Sequence, residues 1–536
     1  MDFLRQNFLE MIKKIFIYFT RTILINSFFI FVFKNKYKLT TYKFDFQNII
    51  FEDIDYLKKI LFSEKYLNKK ILDEKSVFYH SFDWLKAAKI VGGATSISSS
   101  KKQILNWHKC YYSKNSFAWN IQNTTNRLTN LIYNYDFYAS SSSKDEEFFF
   151  HKIILEHFLV LSLNYKLIDL QNLPINLSKM ILLFNLIHKQ KIDKILKTIS
   201  QQVYNNVNSN GFHKSNNPSY QAEFINQLHE IKNICLFFNI KVPKEIEFQI
   251  YNMTSLLSSL FHKDNSIALF NGSNNANYSK LLKIVAMVKD IKSKDLKNIS
   301  NGINIYNDNN KKIFFDVIKP SNKQITQNMH AGTLSFEMSC DKEKIITNCG
   351  SIEKRFGEKP EYLRYTAAHS TIILNNTNIS ELIKKKSYKR IPENILFDFE
   401  ENENKLIWNA SHDGYKKNFG KIVKRKIMVS KEKSEIHGED SIINIRKKQK
   451  RILYNIRFHL TPGCSCLLTN NHRSVLIKTK NNKSWIFRSN SNLSIENSIY
   501  IENGKKIEQT KQIVITNYTN NSKKIENWSL SKYKLN

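Results

Sequence analysis

The chain has 536 residues, of which 42% are hydrophobic and 13% aromatic, including 37 Phe and 25 Tyr. That apolar content excludes a disordered chain, and the length exceeds what one core ordinarily serves, so two large domains are expected. The formal net charge is +35, but the lysines are spread along the chain together with Asn, Ile, Phe and Tyr. Compositional drift of an A/T-rich coding sequence explains this better than nucleic-acid binding, which needs clustering, and an acidic polysaccharide fits the charge equally well. Cys110, Cys235, Cys340, Cys349, Cys464 and Cys466 form no CxxC pair and no zinc-ribbon spacing, so no disulfide framework is expected.

Residues 1–50 are apolar and basic. Lys13, Lys14 and Arg21 interrupt them, and the longest uncharged run, Thr22 to Phe33, is shorter than the roughly 20 residues a membrane span requires. No small-residue cleavage site follows. The segment reads as an amphipathic helix that contacts a membrane surface or docks on a domain. From 51 to 305 apolar residues recur at helical spacing, as in FFFHKIILEHFLVLSLNYKLI (148–168) and LSKMILLFNLIHKQKIDKILKTISQQV (177–203). Polar breaks such as SSSSKDEE (140–147) and NSNGFHKSNNPS (208–219) separate them, which suggests paired helices.

The period changes to two past the Asn-rich stretch 299–312. KKIFFDVI, GTLSFEM, EKIITNC, STIILNN, KLIWNAS, KIVKRKIMV, SVLIKTK, SWIFRS and KQIVITN read as strands divided by Asn, Gly, Ser and Asp turns. Many strands without intervening helices predict an antiparallel β-sandwich over 306–536. The fold class is therefore α+β and multidomain, with helices first and a sandwich after them.

Function must be argued from sites. The segments HSFDWL (80–85), FAWNIQNTTNRLTNLI (117–132), NGFHKSNNPSYQ (210–221), HAGTLSFEM (330–338), AAHSTIIL (367–374), ASHDGY (410–415), GED (438–440) and IRFHLTPG (456–463) occur in this order. In order and spacing they resemble the heparinase II/III-like polysaccharide lyases. That resemblance implies an N-terminal α/α toroid followed by the sandwich, a substrate groove that draws on both, and β-elimination on an acidic, uronate-containing glycan. It also implies a cell-envelope or periplasmic setting. A protein of the same fold that binds or assembles glycans without catalysis is the alternative, and the sequence leaves the oligomeric state open.

β-Elimination removes the weakly acidic C5 proton of a uronate and expels the oxygen at C4. It needs donors that neutralise the carboxylate, a base, and an acid for the leaving oxygen. Tyr220, in NNPSYQAEF, follows a helix break and matches a family tyrosine that serves as acid or base; a tyrosine packed between helices is the alternative. Asn172 resembles the family's carboxylate-clamping Asn, although Leu173 stands where His often follows. His330 and His369 match two family histidines. With an Asp they would make a structural zinc site, but Gly332 replaces the Asp of H-A-D and Asn348 stands where the family often has Asp. Metal-free histidines hydrogen-bonded at the domain interface are therefore expected in preference to zinc. Asn328 occupies the position of a histidine that some of these lyases use in catalysis, and it is counted with the substrate-binding residues. His412 and Tyr415 in SHDGY, with Arg425, read as further catalytic and binding groups or as a polar strand end. His80, Asp83, Trp84, Trp119 and Arg127 read as aromatic anchors and a buried ion pair.

Overall fold

The computed structural model describes residues 77–112, 117–275, 278–320, 329–352, 360–382, 388–446, 451–519 and 523–533. The expected membrane-surface helix in 1–50 and the substrate-binding assignment of Asn328 lie outside these residues. Two compact units divide the chain: Met1–Asn206 with Asn226–Ile250, and Val207–Ile225 with Tyr251–Asn536. The change of period near 305 marks where helices give way to strands. The compact unit that holds the strands reaches further back and takes in the segment carrying Tyr220.

Among the described residues the helices of eight or more residues are α1 (Trp84–Val91), α2 (Gly93–Tyr111), α3 (Ile121–Tyr133), α4 (Lys144–Leu167), α5 (Ile175–Ile187), α6 (Asp193–Asn206), α7 (Pro218–Phe237), α8 (Lys244–Ser259) and α9 (Tyr278–Ala286). A capping box starts α4: the Ser143 hydroxyl accepts from Glu146 N–H, and the Glu146 carboxylate accepts from Ser143 N–H. Asp145, Glu146 and Glu147 in its first turn complement the helix dipole. The run 177–203 is two helices, because Lys189 adopts a positive φ of 53° and ends α5.

In the first unit α4 and α5 both pack on α3. Arg127 of α3 is fully buried, and the expected ion pair is corrected: its partners are His157 Nε2 at 2.7 Å and the Ala118 and His80 carbonyls. Its guanidinium lies 3.8 Å from the Trp107 ring centroid, so π-faces and carbonyls take the place of a counter-charge.

The strands are β1 (Ile303–Asn307), β2 (Lys311–Asp316), β3 (Phe336–Cys340), β4 (Glu343–Thr347), β5 (Ile372–Leu374), β6 (Glu381–Leu382), β7 (Tyr388–Arg390), β8 (Ile395–Glu401), β9 (Lys405–His412), β10 (Lys421–Ser430), β11 (Glu435–Asn444), β12 (Leu453–Leu460), β13 (Ser465–Leu468), β14 (Ser474–Lys478), β15 (Ser484–Ser489), β16 (Leu493–Glu502), β17 (Lys506–Tyr518) and β18 (Lys524–Lys532). One eight-stranded sheet runs β1-β2-β3-β4-β12-β17-β16, with β5 also on β12; the other runs β13-β14-β15-β18-β11-β10-β9-β8. All the ladders are antiparallel.

Between these sheets Trp528 stacks on Phe336 at 5.4 Å and on Phe487 at 5.9 Å, with Phe458 edge-on at 4.9 Å. Gly438 lies directly opposite Trp528 in the β11–β18 ladder. A Cβ on it would sit 2.0 Å from the indole, so the glycine of GED is what lets that ring lie flat on the sheet. Gly438→Ala is expected to destabilise the sandwich by about 1–3 kcal/mol, the usual cost of overpacking, and a shift in the urea midpoint at unchanged m-value measures it.

Candidate functional site

The NGFHKSNNPSYQ segment is a tight turn. Gly211 takes φ +86° against the Asn252 carbonyl, where a Cβ would come within 2.7 Å, and Val207 and His213 form an antiparallel bridge. Gln221 clamps the turn: its Oε1 accepts from His213 N–H and its Nε2 donates to the Gly211 carbonyl. Asn217 then caps α7, its Oδ1 accepting Tyr220 N–H at 2.9 Å, and Pro218 fills the first helical position, where no N–H is needed. Tyr220 is thereby fixed in the first turn of α7. Its residue is 46% exposed, and its ring centroid is 4.7 Å from that of buried His213. Burial, and then the Glu223 carboxylate, push the phenol up to about 12. Solvent on the exposed half moderates that shift without reversing it.

A second segment, FNGSN (270–274), is laced to this turn. Asn217 Nδ2 donates to the Asn271 carbonyl at 2.9 Å and Asn271 Nδ2 to the Asn216 carbonyl at 3.1 Å, while the Ser219 hydroxyl meets Ser273 Oγ and the Asn274 carbonyl. Asn271 Oδ1 then accepts His330 N–H at 3.3 Å. The backbone of Tyr220 is thus linked to that of His330 through two asparagines. His330 Nδ1 lies 3.1 Å from His369 Nε2, and His369 Nδ1 is 2.8 Å from the Tyr365 carbonyl. Segments 329–333 and 364–371 are zipped by Ala331 N–H to Arg364 O, Thr366 Oγ1 to Ala331 O, and Thr371 Oγ1 to Thr333 O.

Glu337 of β3, quoted in the motif but assigned no role from sequence, anchors the loop that carries Asn271. Its carboxylate accepts from His262 Nε2, Leu269 N–H, Thr347 Oγ1 and Asn348 N–H, with Lys344 Nζ 3.9 Å away. Burial alone would raise this acid; Lys344 foremost, then His262 and the Leu269 N–H, hold it down to about 2. His262 is pushed down to about 4, by burial first, so the buried charges are Glu337 and Lys344.

Three assignments are corrected. Arg425 is not a substrate residue: it is fully buried, bidentate to Asp440 at 2.7 and 2.8 Å, and its Nη1 donates to the Leu334 and Ser370 carbonyls. Tyr415 is fully buried and donates to the Thr377 carbonyl at 3.0 Å. His412 is 1% exposed, and its Nδ1 accepts Gly414 N–H. Neither of this pair reaches solvent where a polymer could dock, and burial drives His412 down to about 3 and the Tyr415 phenol up. Asn172 ends a 3-10 turn of the first unit with its side chain exposed. No three His, Cys, Asp or Glu among the described residues are placed to hold a metal ion. Asn348, where the sequence reading looks for an acidic third ligand, accepts Ser370 N–H through Oδ1.

The unperturbed imidazoles of an unfolded chain titrate near 6.5. Burial first pushes His213, His412 and His459 down to about 3 and His369 to about 4. The unfolded chain therefore binds more protons below about 6.5, and stability falls as pH drops through that window. Glu337 acts in the same direction at lower pH. Asp316, pushed up to about 8 by burial, acts the opposite way, one group against several. A lower Tm at about pH 5 than at about pH 7.5 is expected by calorimetry.

Residues 294–529 match the family described as heparinase II/III-like, C-terminal. Among solved structures, heparinase III superposes with TM-score 0.71 at 12% identity, covering 96% of this chain and 89% of that one. A mutant of the heparan sulfate lyase HepC of Pedobacter heparinus does so with TM-score 0.62 at 13% identity, covering 96% and 88%. These likenesses show the fold, a helical toroid followed by the sandwich. FtsZ-localized protein C of Caulobacter vibrioides is 21% identical over 329 residues, and the match spans 58% of this chain and 56% of that protein's length.

Proposed function

With residues 294–529 belonging to the heparinase II/III-like C-terminal family, we propose that the chain is a polysaccharide lyase that cleaves an acidic, uronate-containing glycan by β-elimination in the cell envelope. The observation that carries this reading is the single network that joins Tyr220, His213, His330 and His369 through Asn217 and Asn271. A phenol kept protonated at neutral pH is suited to be the acid that protonates the departing O4. The C5 proton then needs a different group, and His330, buried but for 6% of its surface, is the imidazole tied to the same frame. Asn217 and Asn271 use their amides on the frame itself, which leaves them positioning roles. The net charge of +35 fits a polyanionic substrate.

Incubation of the full chain with a panel of uronate polymers, followed by absorbance of the unsaturated product, tests the proposal. Product from one polymer class supports it; no product from any polymer, with a folded sample, overturns it. A second reading, a glycan-binding envelope protein without catalysis, is favoured by Gly332 and Asn348 standing where the family often has acids. It is also favoured by the likeness to a protein named for localisation with FtsZ. It predicts glycan binding that survives both Tyr220→Phe and His330→Ala, with no product from the parent chain.

A further inference from the structure

We propose that Lys312 and Lys263 form an oxyanion site on the outer face of β1, β2 and β3, one that takes the sulfate or carboxylate group of a small acidic ligand. The proposal does not rest on the lyase reading.

Alternation along β2 and a crossing side chain build the site. Ile313, Phe315 and Val317 enter the core between the sheets, so Lys312 and Phe314 face the other way. Lys312 lies directly opposite Asn307 of β1 and Ser339 of β3. Lys263 spans that width. Its N–H donates to Ser339 Oγ at 3.1 Å, and its ammonium donates to the carbonyl of Asp308, one residue past Asn307. The Lys263 side chain therefore crosses β2 at Lys312, which brings the two ammonium groups together.

Lys312 is 7% exposed. Among the described residues its ammonium makes no hydrogen bond and no ion pair; it faces the Phe314 ring, 5.5 Å from its centroid, and the like charge of Lys263. The carboxylates of this region are committed elsewhere. Asp308 accepts the Asn310 and Lys311 N–H groups through Oδ1 and the Tyr306 hydroxyl through Oδ2, and it pairs with Lys311 Nζ at 2.9 Å. Asp264 accepts Ser266 N–H and its hydroxyl, and Glu337 is paired with Lys344. Ser339 Oγ is engaged by His262 Nδ1, Lys263 N–H and the Lys312 carbonyl.

Lys311, the next residue, is the contrast. It is 2% exposed, and Asp308 and the Lys433 carbonyl at 3.0 Å answer its charge. Nothing answers Lys312. Burial first, and then Lys263, push it down to about 8. A desolvated ammonium whose neighbour has the same sign is costly, and an oxyanion held between the two supplies the missing counter-charge through charge-assisted hydrogen bonds.

The test is carbon-13 NMR of full-length protein labelled at lysine Cε, with Lys312 assigned by Lys312→Met. The sample is titrated through pH in sodium chloride, and again with inorganic sulfate or with glucuronate replacing part of the chloride at constant ionic strength. Lys312 should titrate near 8 in chloride, apart from the ordinary lysines at about 10.4. Sulfate, glucuronate or both should raise its proton affinity by about tenfold or more, and the two arms separate a sulfate site from a carboxylate site. Lys263→Met should raise the starting midpoint and remove most of the response. In chloride Lys312→Met should melt higher than the parent, because it keeps the apolar stem and removes the unanswered charge. A Lys312 that titrates with the ordinary lysines, or whose midpoint neither anion moves, overturns the proposal. So does a response undiminished in folded Lys263→Met protein, which would place the anion elsewhere.

Discussion

Asp440→Ala is expected to lower the stability of the sandwich by about 3–5 kcal/mol, the cost of removing one partner from a buried ion pair. Arg425 and Asp440 face each other across the β10–β11 ladder with relative side-chain exposures of 0% and 1%. Without the carboxylate, the guanidinium keeps only the Leu334 and Ser370 carbonyls and the faces of Phe336, Phe458 and Trp528. None of these supplies a full counter-charge. Trp528 Nε1, which donates to Asp440 Oδ2 at 2.9 Å, loses its acceptor as well. The double variant Arg425→Met/Asp440→Leu should recover most of the loss, because it removes both charges and fills similar volume, leaving chiefly the orphaned indole N–H at about 1–3 kcal/mol. Urea unfolding followed by Trp fluorescence measures both. Trp408, Trp485 and Trp528 report on the sandwich, and Trp84, Trp107 and Trp119 on the helical unit, so each transition is fitted separately.

Tyr220→Phe is expected to reduce the rate of elimination by about 10²–10⁴, the range for loss of one general acid. The effect should fall on kcat, since the ring and its contact with His213 remain. The fold should be unaffected: the Tyr220 contact that builds the frame is its backbone N–H to Asn217, which phenylalanine keeps. Steady-state rates on the polymer that the parent chain cleaves, with a thermal melt of each sample, separate these effects. A variant that melts normally and cleaves at the parent rate removes the phenol from the mechanism.

The architecture was legible because it follows from period. KIVKRKIMV alternates so regularly that Val423, Arg425, Ile427 and Val429 must share one face, and β10 buries that face. Arg425 shares that face, so its charge points into the core and needs a partner there. Asp440 of GED supplies it. The helical period of 177–203 survived the break at Lys189 because a single left-handed residue hardly disturbs the spacing of Leu and Ile.

The site was legible only in part. Tyr220, His330 and His369 stand out as residue types with chemistry. The asparagines that tie them together do not, because in an Asn-rich chain Asn217 and Asn271 look like any other loop residue. Their pairing spans 54 positions of sequence, a separation that no local pattern records. His213 lay within a quoted motif without being singled out, and only the turn at Gly211 brings it against Tyr220. Glu337 was hidden by alternation, reading as one polar position in a strand that is in fact buried along its whole length.

Cleavage in water enriched in heavy oxygen, followed by mass spectrometry of the fragments, addresses the reaction itself. Elimination adds no water, so the new non-reducing ends should be unsaturated and unlabelled while the parent protein depolymerises a uronate glycan. Saturated fragments carrying the heavy oxygen would mean hydrolysis and contradict the assignment of Tyr220 and His330 to proton transfer in a lyase.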